Sequence, residues 1–261
     1  MLKIFLPFFT FLYTNVEKCD IMTMYLKRRV EGETVLLYYN LKVIVQLKQD
    51  IKYENTYEII SNYIAKAMLL DDELKKFHEE NCYKLYTFCS LYPFEKDGVY
   101  EKNKLYAFDI RYMKMEFGLK INQLLKFVKS ENFSLMSTNI ETNEYRKINK
   151  LISLTPAICT TEKKDYKING DINLIKSRLI SGAEKKYFQI YGNKISCDFI
   201  KSVRQTNIKP IKLPYKGIYL LGNKFEIEIK EDEISQKLAY ILLATGILEK
   251  NSQGYGFCKA K

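Results

Sequence analysis

Between Asn40 and Met68 the apolar residues of this chain change period, and that change restricts the fold more than any other feature. Asn40–Leu47 (NLKVIVQL) alternates apolar with polar residues, the pattern of a half-buried strand. From about Thr56, residues Ile59, Ile60, Tyr63, Ile64, Ala67 and Met68 fall on one helical stripe. A shorter helix, DELKKFHEEN, follows, and Asp71 or Asp72 can cap it because a carboxylate accepts from free first-turn amides. Two aromatic-rich strands come next, Lys84–Tyr92 (KLYTFCSLY) and Lys104–Met115 (KLYAFDIRYMKM), with an Asp97-Gly98 turn signal between them. A helix around Leu119–Lys129 and further strand-like pieces complete a β-α-β-β-α-β order. Two helices covering one face of a four-stranded antiparallel sheet is the ferredoxin-like solution to that order.

Around Ser153–Thr161 the pattern restarts. A helix from about Asp171 to Tyr191 precedes a strand near Cys197–Thr206 and a hairpin over Ile208–Lys230, whose second arm (KFEIEIK) places Phe225, Ile227 and Ile229 on one side. Asp232 can cap a last helix to about Ala244, and a glycine-bearing loop leads into a terminal strand. The expectation is an α+β protein of two tandem ferredoxin-like (RRM-like) units, residues 38–153 and 154–261, behind an atypical N-terminal extension, 1–37. Within that extension Ile4–Tyr13 (IFLPFFTFLY) is too short to span a bilayer, which takes about 20 residues. It is followed by Asn-Val-Glu-Lys-Cys-Asp rather than a small-residue cleavage site. Met22 and Met24 offer internal starts, so the first 23 or so residues read as a mis-assigned start or an unpacked tail, and no stable membrane association is expected.

The 261 residues are 47% hydrophobic and 14% aromatic, which excludes a largely disordered chain. The net charge is +11, and from Leu154 onward 19 Lys+Arg against 11 Asp+Glu place +8 of it in the second unit. A phosphate-rich partner fits that balance, as does a lysine-rich surface that only keeps the protein soluble. Six scattered cysteines without a CxxC pair, and a single histidine, assemble no zinc template, so no metal or other cofactor is expected. Unpaired cysteines suit the reducing cytoplasm.

The segment from Gly246 to Phe257 (GILEKNSQGYGF) is the richest in chemistry. Glycines allow positive φ and close approach to a phosphate, and Lys250 adds a cation. It matches neither a P-loop nor a dinucleotide fingerprint. It resembles instead the signature of the CRISPR-associated repeat-RNA endoribonucleases of the RAMP superfamily: Gly-hydrophobic-Gly, a few polar residues, then Gly-hydrophobic-Gly. Glu249-Lys250-Asn251-Ser252, Gly254, Gly256 and Phe257-Cys258 fit that pattern, and the helix from Asp232 to Ala239 and the Leu221–Phe225 piece are similar to the same family. Leu248 departs from it, standing where the family has its second glycine and narrowing the expected phosphate approach. The resemblance runs from about Tyr39 to Lys261.

That resemblance implies a metal-independent cleavage of precursor CRISPR RNA within its repeats. It places catalytic roles on His78, the only histidine, on Tyr63 in the preceding helix and on Lys84 shortly after. Attack of a 2′-hydroxyl on the adjacent phosphate gives a 2′,3′-cyclic phosphate and a 5′-hydroxyl, and needs proton transfer at both oxygens and a cation at the phosphorane. Histidine exchanges protons near neutrality without help, so His78 is the expected shuttle. Gly246, Lys250, Asn251, Ser252, Gly254, Gly256, Lys201 and Arg204 are the expected RNA-binding residues. Lys176, Arg178, Lys185, Lys186, Lys209 and Lys212 are further candidate phosphate contacts. A non-catalytic RAMP-type RNA-binding subunit of a CRISPR effector complex, with other effector subunits as partners, is the alternative. A general RNA-recognition module is disfavoured because the first unit lacks an RNP1-like strand.

Overall fold

The computed structural model describes residues 27–30, 33–160, 171–215 and 217–261. The first unit opens with β1 (Lys27–Val30) and β2 (Glu33–Leu47), followed by β3 (Ile51–Lys52), α1 (Thr56–Met68) and α2 (Asp72–Glu79). It continues through β4 (Tyr86–Phe88), β5 (Val99–Tyr100), β6 (Leu105–Tyr112), α3 (Met115–Leu124) and β7 (Phe133–Glu144). The second comprises β8 (Lys150–Ser153), α4 (Ile172–Tyr191), β9 (Ile200–Gln205), β10 (Ile211–Tyr215), β11 (Ile218–Gly222), β12 (Phe225–Ile229), α5 (Glu233–Thr245) and β13 (Cys258–Ala260).

Both sheets have the same antiparallel strand order. β2 pairs with β7 on one edge and β6 on the other, and β4 closes the far side of β6. In the second sheet the order is β13-β8-β12-β9. Numbered within each unit, both read 4-1-3-2, the tandem ferredoxin-like arrangement expected from the sequence. The residues of β2 alternate as anticipated: Leu41, Val43, Val45 and Leu47 are buried while Lys42, Ile44 and Gln46 are half-exposed. The expected caps form as well, since the Asp71 carboxylate accepts from the Leu74 amide at 2.9 Å and Asp232 from the Ser235 amide at 2.9 Å.

Four particulars differ from the sequence pattern. The strand expected over Lys84–Tyr92 contracts to Tyr86–Phe88. The first strand of the second sheet, Lys150–Ser153, lies on the N-terminal side of the division expected at 153/154 yet pairs only with β12 and β13. Phe225–Ile229 is not a hairpin arm: it is the central strand between β8 and β9, and the hairpin proper is the separate β10–β11 pair. Its alternation was legible, but alternation does not name the partner strand. Within the expected extension 1–37, β1 pairs with the start of β2, where no strand pattern was read; residues 1–26 lie outside the described ones.

The second unit contributes residues to the first unit's core besides having its own. Leu213 and Leu220 of the hairpin, together with Ile158, Tyr255 and Phe257, belong to the core built around α1 and the first sheet. On the opposite face of that sheet, Arg111 of β6 sends Nη1 to the carbonyls of Leu243 and Cys258, each at 2.8 Å. Its guanidinium lies 4.2 Å from the Phe257 ring centroid and 5.1 Å from that of Tyr38. Charge-assisted bonds are worth about 1.5–3 kcal/mol each, so Arg111→Met is expected to lower stability by roughly 3–5 kcal/mol in urea unfolding. Arg111→Lys should recover only part, because an ammonium has no planar face to stack on the Phe257 and Tyr38 rings.

Candidate functional site

Helix α2 carries His78 in its last turn. Leu74 and Phe77 turn inward, leaving the imidazole exposed, and it makes no hydrogen bond with another described residue. Lys84 reaches back over the end of the same helix. Its ammonium donates to the carbonyl of Phe77, the residue before His78, and to that of Glu80 at 2.6 Å, and it lies 4.8 Å from the Phe77 ring centroid. A cation at a helix C-terminus satisfies carbonyls that have no intrahelical donor and complements the dipole. The turn that permits this passes through Leu85 at φ 52°, left-handed yet buried, just ahead of β4. The structure thus brings Lys84 to the helix end that presents His78.

Tyr63 is not brought to them. It sits on the stripe of α1 that packs on the first sheet, 3% exposed, edge-on to Phe133 with ring centroids 4.7 Å apart. Its hydroxyl donates to the Leu125 carbonyl at 2.8 Å, and burial pushes the phenol up to about 12. The expected partnership with His78 is therefore corrected: the apolar stripe that made Tyr63 a helix residue also turns it into the core.

The segment between α2 and β4 docks on the second unit. The Tyr83 amide donates to Gln189 Oε1 at 3.0 Å, and Gln189 Nε2 returns a bond to the Tyr83 carbonyl at 2.6 Å. Beside it lies the glycine-bearing turn, where the amides face inward. Gly246 donates to Leu242, Gly254 to Asn251 and Gly256 to Pro156, all backbone carbonyls within 2.9 Å. The three glycine amides are therefore already spent. The glycines are required by packing instead. All three have positive φ, and a Cβ at Gly254 would stand 2.5 Å from the Phe88 ring, one at Gly246 2.6 Å from Asn251 Nδ2, and one at Gly256 against the Ile247 carbonyl. Asn251 is buried too, its Nδ2 donating to the carbonyls of Ile247 and Tyr255 at 2.8 and 2.9 Å.

Leu248 adopts the left-handed conformation that favours glycine, at φ 58°, and its side chain joins the second core, 4% exposed. It therefore points away from any phosphate approach, contrary to expectation. Among the expected binding residues of the turn, Lys250 and Ser252 stay half-exposed, with the Lys250 ammonium 4.5 Å from the Tyr215 ring centroid. Lys201 and Arg204 lie on the second sheet, paired with Glu231 at 3.4 Å and Glu226 at 3.0 Å. Lys186 is no surface contact at all. It is 1% exposed, and its Nζ donates to Gly246 O and Asn251 Oδ1, both at 2.7 Å, inside the turn. The stripe of α4 predicts which residues turn inward, but nothing in sequence says that a lysine among them finds acceptors there.

Among the described residues no group of three His, Cys, Asp or Glu is placed to hold a metal ion, and no helix is long and apolar enough to cross a membrane.

With this geometry in hand, the comparisons agree on the class of fold, a tandem ferredoxin-like protein. Residues 137–260 match the family described as CRISPR associated protein Cas6, C-terminal. A structure described as a CRISPR associated protein Cas6 superposes with a TM-score of 0.65 at 19% identity, covering 86% of this chain and 99% of that one. A RAMP protein described as binding different RNA substrates gives 0.67 at 16%, covering 85% and 99%. A Cas6-related protein from Pyrococcus furiosus gives 0.64 at 18%, covering 86% and 98%. No curated protein matches the sequence. The chain shares the fold of these structures, and the family match falls on its C-terminal unit.

Because the glycines serve packing, Gly254→Ala should act on stability first. A left-handed alanine costs about 1–2 kcal/mol and overpacking against Phe88 about 1–3 more, so a loss of roughly 2–5 kcal/mol is expected in chemical denaturation.

Proposed function

We propose that this chain is a Cas6-type endoribonuclease that cleaves precursor CRISPR RNA within its repeats in the cytoplasm. Cleavage proceeds by attack of the 2′-hydroxyl, without a metal ion, and leaves 2′,3′-cyclic phosphate and 5′-hydroxyl ends. What carries this reading is the exposed imidazole of His78, the chain's single histidine, at the helix end where Lys84 holds its ammonium. His78 shuttles the proton at the 2′-hydroxyl or the leaving oxygen. Lys84 supplies the cation that balances the phosphorane, using a donor left over from the two carbonyls it caps. Tyr63 has no part in the chemistry. Lys250 and Ser252 on the outer side of the turn, and Lys201 and Arg204 on the second sheet, contact phosphates.

One observation favours a second reading, an RNA-binding RAMP subunit without catalysis, acting with other effector subunits: the phenol of Tyr63 is absent from the neighbourhood of His78, and a single acid–base group remains. Purified protein incubated with repeat RNA in EDTA decides between them. The nuclease produces discrete fragments ending in cyclic phosphate; the binder shifts the RNA intact.

His78→Ala is expected to slow single-turnover cleavage about 10²–10⁴-fold with nearly unchanged RNA affinity, the size of one lost acid–base group. Native-rate cleavage by that variant would remove His78 from the mechanism. A repeat RNA with one 2′-deoxy sugar before the scissile phosphate should bind and stay whole, since the attacking group is missing. Binding should weaken with salt, log K falling by about 0.7 per neutralised phosphate for each tenfold rise in concentration.

A further inference from the structure

Beside the helix end that carries His78, a cavity of about 190 Å³ opens between α2, α3 and the segment leading into β4. Leu74 and Phe77 of α2, Leu85, Tyr112 at the end of β6 and Phe117 of α3 wall it with apolar side chains. Its charged lining is Lys84, Lys114 and Lys120 against Glu73 and Glu116. These lysines differ in what holds them. Lys120 is spent on Asp71 at 3.2 Å and Glu73 at 2.8 Å, and Lys84 caps α2. Lys114 is half-exposed, and its ammonium makes no hydrogen bond or ion pair with another described residue.

The rings give the cavity its shape. Phe117 is 7% exposed and stacked on Tyr86, ring centroids 4.8 Å apart, and Phe77 stands 6.2 Å from it at an interplanar angle of 70°. A flat ring lying parallel to one of these walls meets the other nearly edge-on, the two arrangements that aromatic pairs favour. Volume gives the size of the occupant. A cavity of about 150 Å³ takes one benzene ring, so this one holds a single six-membered ring with its substituents.

We propose that the cavity receives one unpaired pyrimidine base of the RNA, next to the scissile phosphate, with the Lys114 ammonium on the phosphate beyond it. The inference rests on the RNA-cleaving function proposed above and adds a specificity subsite to it. Two observations select a nucleotide. Lys84, the cation assigned to the phosphorane, is itself part of the cavity wall and holds its ammonium 4.8 Å from the Phe77 ring centroid. A base against Phe77 therefore lies within one nucleotide of the cleaved bond. An apolar cleft rimmed by a lysine without an anion also matches a group that is aromatic at one end and anionic at the other. A purely apolar occupant, such as a side chain of a protein partner, would leave Lys114 unpaired. Of the two carboxylates, Glu73 is held by Lys120, and Glu116 is exposed to solvent and screened.

The test uses the intact protein and repeat RNA made uncleavable by a 2′-deoxy sugar before the scissile phosphate. Bases within two nucleotides of that phosphate are removed one at a time. Binding is expected to weaken about 5- to 100-fold at one position, the size of one lost base–aromatic contact, and little at the others. At that position a purine should bind less tightly than either pyrimidine. Phe77→Leu should erase the difference between intact and abasic RNA there. Lys114→Ala should lower the salt slope of log K by about 0.7, one phosphate contact. If Phe77→Leu does not fold, a fluorescent pyrimidine analogue at that position reads the wild-type protein: quenching on binding supports the subsite, and unchanged emission overturns it. Native affinity for every abasic RNA, or an abasic loss that Phe77→Leu leaves as large, also overturns it. Cleavage of all-ribose RNA without any abasic effect would remove the subsite alone; a full abasic effect without cleavage would remove the nuclease and keep the subsite.

Discussion

The guanidinium of Arg111 sits where the first sheet meets the second unit, and the relative placement of everything else follows from it. One side chain on β6 closes the carbonyls of Leu243, at the end of α5, and of Cys258, at the start of β13, while lying between the Phe257 and Tyr38 rings. Those carbonyls flank the glycine-bearing turn on either side. A planar, permanently charged group satisfies both and still stacks on the two rings. With the ends of the turn fixed, its middle falls beside β4 and α1, where Gly254 meets Phe88 and Ser61 donates to Gln253 at 3.1 Å.

The turn therefore has an inner and an outer side. Inside, three glycine amides, Asn251 and Lys186 are consumed in holding the chain, and Leu248 fills the second core. Outside, Lys250, Ser252 and Gln253 remain half-exposed. A loop whose glycine amides and buried side chains are bonded inward presents its outer side chains toward a neighbouring segment. Here that neighbour is the stretch from His78 to Lys84, tied to α4 through Gln189. The asymmetry also accounts for the tolerance of Leu248 at a position where glycine would be expected: its strain of φ 58° is offset by burial of its side chain.

The fold was largely legible because periodicity is a local property. The alternation in Asn40–Leu47, the stripe on α1 and the Asp71 and Asp232 caps each depend on residues within a few positions of one another. The site was legible only in part. Histidine chemistry made His78 conspicuous, and its helix, with Leu74 and Phe77 inward, was readable. Tyr63 was misplaced because a tyrosine on an apolar stripe gives no sign of whether its hydroxyl reaches solvent or, as here, the Leu125 carbonyl 62 residues away. Phe225–Ile229 was assigned to the wrong partner for a similar reason, since alternation fixes a strand's faces and not its neighbours.

By itself the sequence determined the two β-α-β-β-α-β units, the positive balance of the second and the residue types available for acid–base work. Tertiary structure alone decided which of those residues meet: that Lys84 folds back onto the end of its own site helix, that Lys186 is enclosed rather than offered to a polyanion, and that the glycines face inward. The physical reason is that propensity and periodicity act over a few residues, whereas burial and hydrogen-bond satisfaction depend on partners that folding brings in from other segments, as Leu125 is brought to Tyr63 and Gly246 to Lys186.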